Sequence, residues 1–374
     1  MTRERGNGRQ PDVALLLPSL DGGGLERVTL NLAEGLVGEG LRVDLVVAWP
    51  HGAYAGRVPK GVRTVHLGAP RMLRALMPLR AYLRRERPRA LLTGLDYANV
   101  IAIWARALAH VHTRVVVSVH KYFSLAVDHS PLLRERLLLR SAVRLAYPRA
   151  EAVVAVSEVT ANDLAAAVRL PRSRICVIHN PVLTDELIAG RQAPLDHAWF
   201  DNAAAPVLVA AGRLTEQKDY PTLLRAFGRA RRARRLRLVI LGEGELQPQL
   251  EEITREEGID GDVEFRGFVA NPYPFMAKAS LFVMSSAWEG LPTALVEALA
   301  CGTPVVSTNC PAGPAEILEN GRYGRLVPVG DAEALAAAIL TSLDDRSDPG
   351  RLEARAREFA VDRAVDRYRK VLGV

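Results

Sequence analysis

Short apolar runs alternate with amphipathic stretches along almost the whole chain of 374 residues. The runs are rich in Val, Leu, Ile and Ala, and the stretches between them carry apolar residues at helix-like spacing. This alternation is typical of strand–helix–strand units, whose helices cover a mostly parallel sheet. The sequence therefore predicts an α/β fold.

The apolar runs fall into two series. The first covers residues 12–20, 42–48, 90–95, 114–120, 152–157 and 175–180, and the second covers 206–213, 237–244, 263–268, 281–286, 303–308 and 325–330. A segment without this rhythm separates the two series. Because the chain is longer than one hydrophobic core usually organises, we predict two domains.

We place the predicted boundaries where the strand rhythm stops and resumes. The predicted segments are a flexible tail at 1–10, a first domain at 11–188, a linker at 189–205, a second domain at 206–351 and a final helical stretch at about 352–374. Ligands of open parallel sheets bind beyond the carboxyl ends of the strands. Functional residues are therefore expected in the loops that follow the apolar runs.

The composition favours a protein of a reducing compartment. Hydrophobic residues make up 49% of the chain, which is ample for two cores, and no apolar run approaches the length that spans a bilayer. The polar start of the chain has no apolar core of its own, which argues against a signal peptide. Three cysteines without metal-type spacing, Cys176, Cys301 and Cys310, are expected to be free thiols packed as small apolar side chains. We expect a cytoplasmic protein.

The net charge of +7 is distributed unevenly. Residues 1–190 hold 26 Lys and Arg against 16 Asp and Glu, whereas the remainder holds 23 against 26. Much of the excess lies in Arg71–Arg89 and Pro131–Arg149, where arginines are interleaved with apolar residues. Such stretches are candidates for an anionic membrane surface and equally for the solvated outer faces of helices. They lack a nucleic-acid-binding motif, so nucleic acid is not an expected partner.

Two glutamates, Glu289 and Glu297, lie eight positions apart across a loop that is predicted to become a helix. Pro292 suits the first helical turn, where its missing N–H costs nothing, and the sequence behind it is strongly helix-forming. A helix N-terminus attracts phosphate, and carboxylates accept hydrogen bonds from sugar hydroxyls. The segment therefore predicts a site for a sugar nucleotide.

A glycine loop, Gly22, Gly23 and Gly24, follows the first apolar run. Glycines let the backbone approach a phosphate or a sugar closely, although a plain tight turn would use the same residues. Asp44 lies in the next run, about twenty residues on, and the acidic residue of a dinucleotide-binding domain has a similar spacing. That fingerprint requires glycine where Arg27 stands, so a dehydrogenase is disfavoured.

Arg213 and Lys218 lie in the loop that opens the second series. Such a pair can neutralise a diphosphate and stabilise the charge that develops as it leaves, without a bound metal. Isolated surface cations are the plain alternative. The only Asp-x-Asp pattern, Asp260–Asp262, encloses a glycine and is predicted to be a turn, so no metal site is expected.

His120 ends the apolar run at 114–120. A lone histidine is usually structural, but one that directly follows a parallel strand lies where ligands bind. We predict a functional role for it.

Glu289 and Glu297 resemble the E-x7-E motif of the family 4 glycosyltransferases. Further resemblance lies in Gly212, Arg213, Leu214 and Lys218, in the glycine loop Asp21–Gly24, in His120, and in His179–Asn180, where Pro181 replaces the glycine usual in the family. That replacement puts a direct ligand contact by Asn180 in doubt. The matches follow the family's order and extend from Asp21 to Pro328.

The resemblance implies an α/β fold of the GT-B type: two facing Rossmann-like domains with parallel sheets, a deep interdomain cleft and a final helix that returns to the first, acceptor domain. It implies that Glu297 holds the ribose of the donor, that Glu289 holds the donor sugar, and that His120 contacts this sugar near the reacting centre. The remaining expected donor contacts are Gly22, Gly23, Gly24 and Gly212, then Arg213 and Lys218 at the phosphates with Gly290, Leu291, Pro292 and Thr293, and Gly242, Phe268 and Val269 at the base. The stretches that contain these last three residues could equally be ordinary strand exits. No cofactor or metal is implied.

The implied activity is transfer of a hexose or N-acetylhexosamine from a nucleoside diphosphate sugar to an acceptor hydroxyl, with retention of configuration by a front-face route. UDP is the favoured nucleotide, and GDP-mannose stays open. A lipid-linked or polysaccharide acceptor is implied, with the enzyme in the cytoplasm or peripheral at the inner face of the plasma membrane. The alternatives are a catalytically idle nucleotide-sugar-binding subunit and a UDP-sugar epimerase of the same fold.

Overall fold

The computed structural model describes residues 10–21, 23–128, 133–201, 205–345 and 347–374. The chain divides into two compact units. The first unit contains the chain up to Pro181 together with Val361–Val374, and the second unit contains Val182–Ala360. Each unit is built around one parallel sheet.

The first unit has a seven-stranded sheet. Its strands are β1 (Val13–Leu17), β2 (Val43–Val47), β3 (Arg63–His66), β4 (Ala90–Thr93), β5 (Arg114–Val119), β6 (Ala152–Ala155) and β7 (Ile175–Val177). Its first six helices are α1 (Gly24–Gly38), α2 (Leu76–Glu86), α3 (Asp96–Ala109), α4 (Phe123–Asp128), α5 (Leu133–Ala146) and α6 (Glu158–Val168). The strand order is β3-β2-β1-β4-β5-β6-β7, and every pair is parallel.

The sequence prediction found six of these seven strands. β1 and β2 are buried along their whole length. The sequence of β1 is entirely apolar, and that of β2 is apolar except for Asp44, which forms an ion pair with Arg63. β3 was missed because its sequence, Arg-Thr-Val-His, is polar at both ends and those ends are exposed. It is an edge strand that is hydrogen-bonded to β2 alone, so only one of its two sides lies against another strand. At the opposite edge, Cys176 on β7 is exposed, which corrects the expectation that all three cysteines are buried.

The second unit has a six-stranded parallel sheet. Its strands are β8 (Val207–Ala211), β9 (Arg237–Leu241), β10 (Val263–Gly267), β11 (Leu281–Met284), β12 (Val305–Thr308) and β13 (Arg325–Val327), in the order β10-β9-β8-β11-β12-β13. Its helices are α7 (Asp185–Gly190), α8 (Ala198–Asp201), α9 (Tyr220–Ala233), α10 (Gln247–Glu256), α11 (Tyr273–Lys278), α12 (Thr293–Ala300), α13 (Pro314–Ile317), α14 (Ala332–Asp344) and α15 (Pro349–Ala356).

Both sheets reverse their strand order once. In the first sheet the reversal lies between β1 and β4, and in the second it lies between β8 and β11. At such a switch point the chain leaves two adjacent strands in opposite directions, which opens a crevice beyond their carboxyl ends. The fold therefore directs attention to the loops after these four strands.

The predicted turn at Asp260–Asp262 is confirmed, since these residues form the turn that leads into β10. Asp262 pairs there with Arg231, with 2.7 Å between Nε and Oδ2. In the segment predicted as a linker, α8 lies close to a ring cluster in which His197 packs edge-on against Phe200 and Phe275. Aromatic pairs of this geometry add to the stability that their burial gives.

The stretch predicted as one final helix is two helices. α15 ends at Ala356, a short 3-10 turn follows, and α16 covers Val361–Leu372. α16 packs against α1 within the first unit. Gly35 permits this contact, because a Cβ atom there would lie 2.5 Å from Cγ2 of Val365. Arg369 on α16 also pairs with Glu39, with 2.6 Å between Nη1 and Oε2.

Candidate active site

Lys218 and Glu289 come from the two loops at the switch point of the second sheet. Lys218 ends a 3-10 turn after β8, and Glu289 lies between β11 and α12. Because β8 and β11 are neighbours, the two loops meet beyond their carboxyl ends. Nζ of Lys218 lies 2.5 Å from Oε1 of Glu289. The structure thus brings together two residues that the sequence selected 71 positions apart.

The Glu289 carboxylate is buried and held by several donors. Glu289 is only 6% exposed, so its carboxylate requires hydrogen-bonding partners to offset its lost hydration. Ser286 Oγ donates to Oε1 over 2.8 Å, beside the lysine. Gln217 Nε2 approaches Oε2 at 3.4 Å. Oε1 is therefore the firmly held oxygen, and Oε2 has the greater capacity to accept a hydrogen bond from a ligand.

Hydrogen bonds also join the two loops directly. Ser285 Oγ donates to the Lys218 carbonyl over 2.8 Å, and the Ala287 amide donates to the Gln217 carbonyl over 2.8 Å. Thr308 Oγ1 on β12 donates to the Ser286 carbonyl over 2.6 Å. The loops that carry the ion pair are thus fixed to each other and to the sheet.

Two predicted glycines lie where backbones meet. Gly212 and Gly242 have φ values of +153° and +143°, and a Cβ atom on Gly242 would lie 2.0 Å from the Gly212 carbonyl oxygen. Only glycine fits such an approach. Tyr220 OH donates to the same carbonyl over 3.1 Å. Burial and the nearby Glu289 charge raise the pKa of Tyr220, so the phenol stays protonated and keeps donating.

Glu297 lies within α12, as predicted, and is 3% exposed. Pro292 is the residue before the helix and not part of its first turn, so α12 begins at Thr293. Burial and the Glu297 charge raise the pKa of Cys301 to about 12, which keeps this thiol protonated. Gly290, Leu291 and Pro292 are buried. They are covered by the loop at Gly313, where an added Cβ atom would lie 2.3 Å from Pro292 Cδ.

Three further predicted residues lie at the same edge of the second sheet. Arg213 lies two positions after the end of β8, and its side chain is exposed. Phe268 follows β10, is 45% exposed and donates its amide to Oε1 of Glu243 over 3.1 Å. Val269 beside it is partly exposed. Within the described ranges, none of the three is hydrogen-bonded to Lys218 or Glu289, so the structure places them at the edge without joining them to the pair.

In the first unit, His120 directly follows β5 and is partly buried. Ser118 Oγ lies 2.5 Å from its Nε2 atom. Burial lowers the pKa of His120 to about 4, and a hydrogen bond with Asn180 opposes this shift. The imidazole is therefore neutral at pH 7, and it carries one N–H donor and one acceptor nitrogen.

The loop after β4 packs against His120. A Cβ atom on Gly94 would lie 2.6 Å from Leu25 Cδ1 and 3.2 Å from His120 Cδ2. The first turn of α1 and the loops after β4 and β5 therefore meet at this glycine. Asp96, 3% exposed, forms an ion pair with Lys121, with 3.1 Å between Oδ2 and Nζ. The next residue after His120 is thus tied to the start of α3.

The glycine loop is described from Gly23 onward, and Gly22 lies outside the described residues. Gly23 precedes α1 in an extended conformation, and Gly24 begins the helix. The Glu26 carboxylate lies over this helix start, since a Cβ atom on Gly23 would be 2.5 Å from Oε2 of Glu26. With Asp21 also beside it, this end is acidic and suits a ligand with hydroxyl groups better than a phosphate.

The residues of these sites that escaped the sequence analysis include Ser118, Gln217, Ser286 and Tyr368. Ser118 and Ser286 are short polar residues at the carboxyl ends of apolar runs, and this position was an available signal. Gln217 precedes Lys218 in an otherwise ordinary polar loop. Tyr368 lies on α16, far from His120 in sequence, and only the fold shows that both line one cavity.

In the part of the chain that the structure describes, no group of three or more His, Cys, Asp or Glu side chains is arranged to hold a metal ion. No helix in the described ranges has the length and apolar character that crossing a bilayer requires. The independence from metal stays a prediction.

Family models match both halves of the chain. Residues 22–186 match the model described as Glycosyltransferase Family 4, and residues 205–345 match the model described as Glycosyl transferases group 1. Between them the two matches cover most of the chain. Both predicted motif regions, the first around His120 and the second around Glu289, fall inside them.

Curated relatives agree with these matches. The chain is 28% identical over 284 residues to N-acetylgalactosamine-N,N'-diacetylbacillosaminyl-diphospho-undecaprenol 4-alpha-N-acetylgalactosaminyltransferase of Campylobacter jejuni, covering 75% of each protein. It is 36% identical over 189 residues to the lipopolysaccharide core biosynthesis glycosyltransferase LpsE of Rhizobium meliloti. That second match covers 49% of this chain and 54% of LpsE, so it spans about half of that relative.

Solved structures confirm the predicted fold class. HepE from Anabaena, solved in complex with UDP and glucose, aligns with a TM-score of 0.79 over 97% of this chain and 99% of that protein, at 21% identity. This similarity and the two parallel Rossmann-like sheets establish an α/β fold of the GT-B type. With the two family models and the named relatives, they show that the chain is a glycosyltransferase and belongs to glycosyltransferase family 4.

Proposed function

We propose that this glycosyltransferase moves a hexose or N-acetylhexosamine from a UDP-linked donor to a hydroxyl of a lipid-linked or polysaccharide glycan, with retention of configuration. The observation that carries the proposal is the ion pair of Lys218 and Glu289 at the switch point of the second sheet. It presents a cation and a carboxylate at the edge where open parallel sheets bind ligands. A nucleotide sugar offers a partner to each, a diphosphate and a set of hydroxyl groups.

The second unit supplies the groups that a nucleotide sugar needs. The start of α12 has backbone N–H groups without helical partners, which suit a phosphate. Glu289 Oε2 can accept from a sugar hydroxyl while Oε1 stays on Lys218 and Ser286. Glu297, buried within the same helix, is assigned to the ribose hydroxyls. Phe268, exposed after β10, offers an apolar face to the base.

The neutrality of His120 fits a hydrogen-bonding role toward the donor sugar. With a pKa of about 4, the ring is not a cation at pH 7 and has no proton to give as an acid. A neutral imidazole can still donate one hydrogen bond and accept another. The acidic end formed by Asp21 and Glu26 likewise suits sugar hydroxyls. The first unit is thus assigned to sugar recognition.

The charge changes of the reaction fall on the second unit. As the glycosidic bond to the diphosphate breaks, negative charge grows on the leaving oxygen, and Lys218 with Arg213 is assigned to stabilise it. In a front-face route the departing phosphate accepts the acceptor's proton while the acceptor attacks from the same side. This route supports retention without a protein nucleophile. A firmly held lysine suits this task, because fixed charges need no reorganisation during the reaction.

The relatives support the choice of nucleotide and acceptor. HepE, which shares the fold, was solved with UDP and glucose, and this favours UDP over GDP here. The Campylobacter relative is named for an acceptor on diphospho-undecaprenol, and LpsE for lipopolysaccharide core biosynthesis. These names support a glycan acceptor carried by a lipid.

A lipid-linked acceptor also gives a role to the basic helices of the first unit. α2 and α5 both pack against α3, so they share one face of the sheet. The segment leading into α2, and α2 itself, expose Leu73 (77%) and Met77 (57%), and α5 exposes Leu138 (59%) and Leu145 (54%). Exposed apolar side chains beside arginines are suited to an anionic membrane surface. Pro131, where the second predicted basic stretch begins, lies outside the described residues.

The test is donor binding followed by transfer. Thermal unfolding would be measured with UDP, GDP, ADP and their sugars, because a ligand of the folded state raises the melting temperature. We expect a selective shift with UDP and one UDP-sugar, and then transfer to a lipid-linked glycan acceptor. Glu289→Gln should abolish most of the transfer. Asp262→Asn, which breaks a carboxylate ion pair of the second unit before β10, is the matched control and should keep full activity.

Three results would count against the proposal. A shift with GDP-mannose alone would overturn the choice of nucleotide. Binding of UDP-sugars without transfer to any glycan would favour a catalytically idle subunit. Release of an epimerised sugar nucleotide in the absence of acceptor would favour an epimerase.

A further inference from the structure

The short helix α13 follows the loop that covers the start of α12. We call this loop, residues 309–313, the cover segment. A Cβ atom on Gly313 would lie 2.3 Å from Cδ of Pro292, the residue that precedes α12. Earlier in the segment, the Pro311 carbonyl accepts a bond of 3.3 Å from the Glu289 amide. The cover segment therefore contacts the backbone of the candidate site at two points.

The cover segment ends in two residues with a left-handed backbone. Ala312 has a φ of +63° and Gly313 has a φ of +100°. A residue with a side chain occupies this region at a cost in free energy, so the surrounding structure must hold Ala312 there. The four residues of α13 cannot do so alone, because a single helical turn is marginally stable by itself. Whatever fixes α13 also fixes the cover segment.

Arg355, in the last turn of α15, binds the carboxyl end of α13. Backbone amides of Ile317, Leu318 and Asn320 donate to the carbonyls of Gly313, Pro314 and Ala315. The last two carbonyls of the helix accept from Arg355. Its Nε donates to the Ile317 carbonyl over 2.8 Å, and its Nη2 donates to the Glu316 carbonyl over 2.6 Å. One guanidinium thus satisfies two carbonyls that the end of a helix leaves open.

Arg355 is itself firmly held. It is 6% exposed, so its charge requires partners that offset the lost hydration. Its Nη1 atom lies 2.7 Å from Oε2 of Glu358 and 3.0 Å from Oε1 of Glu319. Its Cζ atom also lies 5.3 Å from the centroid of the Phe359 ring. A planar group whose three nitrogens are all bound has a fixed orientation, which a lysine does not reproduce.

We propose that Arg355 is a positioning residue of the donor site, which fixes the cover segment against Glu289 and the start of α12 by binding the last two carbonyls of α13. A fixed segment lowers the ordering cost of binding a ligand there. The effect on the donor rests on the proposed function, in which these groups hold a nucleotide sugar. The fixed segment itself does not, because it is a property of the second unit alone.

The first test is amide hydrogen exchange in the full chain without a ligand. Peptides covering residues 309–318 should be protected in the parent protein, because Arg355 holds a helix that would otherwise open readily. In Arg355→Lys one ammonium group replaces the fork, so these peptides should exchange about tenfold faster, while peptides of β8 and β11 keep their rates. Rapid exchange in the parent, or parent-like exchange in the variant, would overturn the proposal.

The second test is the dissociation constant of UDP, measured by titration calorimetry well below the melting temperature. We expect Arg355→Lys to raise it about tenfold, because the cover segment must then be ordered on binding. The donor KM should rise likewise with little change in kcat, as for the loss of binding shared by the ground and transition states. A lower melting temperature with parent-like UDP binding would mean that Arg355 only stabilises the fold, which contradicts the proposal.

Two control variants separate the carbonyl bonds from charge and from stability. Glu358→Gln removes a charged partner of Arg355 but leaves both bonds to α13, so exchange and UDP binding should not change. Arg191→Lys is the matched arginine control. Nη1 of Arg191 donates to the Ala300 carbonyl over 2.6 Å, at the other end of α12, and to Glu353 over 2.7 Å. It should leave UDP binding unchanged, and an equal loss of affinity there would refute a specific role of Arg355.

Arg355→Gln replaces the lysine variant if the latter does not fold, because it leaves no buried ammonium group without partners. The exchange rates of the parent protein decide whether the segment is held even without a variant. If the parent binds no nucleoside diphosphate, the proposed function fails. Exchange in Arg355→Lys or Arg355→Gln then still decides whether Arg355 fixes the cover segment.

Discussion

The two units have sheets of the same design but hold their site residues in opposite ways. Beyond the second sheet, a lysine and a glutamate are locked at 2.5 Å, and a further carboxylate is buried within α12. Beyond the first sheet, the histidine is neutral and its Nε2 atom is held by a serine hydroxyl. One site is held by charges, whereas the other is held mainly by neutral hydrogen bonds.

The outer surfaces show the reverse distribution. The basic excess of the chain lies in the first unit, on α2 and its neighbours, while the histidine of its site is itself neutral. The remainder of the chain, which contains most of the second unit, is slightly acidic, yet its site contains Lys218. The net charge of a domain therefore reflects its outer surface and does not predict the charge of the residues in its ligand site.

The comparison predicts that removing a charge in the second unit costs more stability than removing a neutral partner in the first. Lys218→Ala leaves the Glu289 carboxylate buried without its cation and should cost about 3–5 kcal/mol of unfolding free energy. Ser118→Ala removes one neutral partner and should cost about 1–3 kcal/mol. Urea unfolding monitored in each variant gives both values. Adding Glu289→Gln to Lys218→Ala should restore part of the loss, and equal costs for the two single variants would break the comparison.

Catalysis should show the same asymmetry. Lys218→Ala removes a fixed cation from the leaving diphosphate and should lower kcat by about 100-fold to 1,000-fold, as loss of one preorganised electrostatic contact does elsewhere. Steady-state transfer rates with a saturating UDP-sugar would measure this. Arg231→Ala is the control, since it also breaks an ion pair of the second unit, that with Asp262. Near-normal rates in Lys218→Ala would remove this lysine from the mechanism.

The neutral histidine should make the first unit sensitive to mild acid. The pKa of His120 is about 4 in the folded protein against an ordinary value of 6.5, so the unfolded chain binds the proton first as the pH falls. Stability is then complete above pH 6.5 and is lost as the pH falls towards 4, by about 2 kcal/mol between pH 7.5 and 5. Unfolding of the parent and of His120→Gln at both pH values gives the difference. A parent protein no more acid-sensitive than the variant would contradict a neutral buried ring.

Membrane binding should give the smallest effects for single residues. Arg74→Gln, at an exposed position before α2, should weaken binding to anionic vesicles by about 1 kcal/mol, and more salt should reduce binding further. Co-sedimentation with vesicles at two salt concentrations measures this. Arg225→Gln, at an exposed position on α9 of the second unit, is the control. Equal losses of vesicle binding in both variants, or no loss in either, would indicate that α2 is only a solvated outer face.

Much of the fold could be predicted because parallel strands are buried on both sides and their sequences show it. Twelve of the thirteen strands coincide with apolar runs, and the exception, β3, is a short edge strand with exposed ends. The break between α15 and α16 was not predicted, because no proline or glycine marks it. Helix interruptions that depend on tertiary contacts leave little trace in a sequence.

The candidate site was predicted in its residues but not in its contacts. Lys218 and Glu289 were chosen separately, the first for a diphosphate and the second for sugar hydroxyls, and their direct ion pair follows only from the adjacency of β8 and β11. Likewise, nothing near His120 in sequence indicates Tyr368. Partners that come from distant segments are set by topology, and periodicity along the chain carries no information about them.

The first unit is encoded in two separate pieces of the chain, and this has a consequence for its synthesis. All seven strands, β1 to β7, have been synthesised once translation has passed Val177. The face covered by α1 then still lacks Val365 and Tyr368. At about 5–20 residues per second, that apolar face waits roughly 10–40 s while the second unit is translated. During this interval it is a natural binding surface for a chaperone. A nascent chain released before α16 would carry both sheets and still lack the tyrosine beside its histidine.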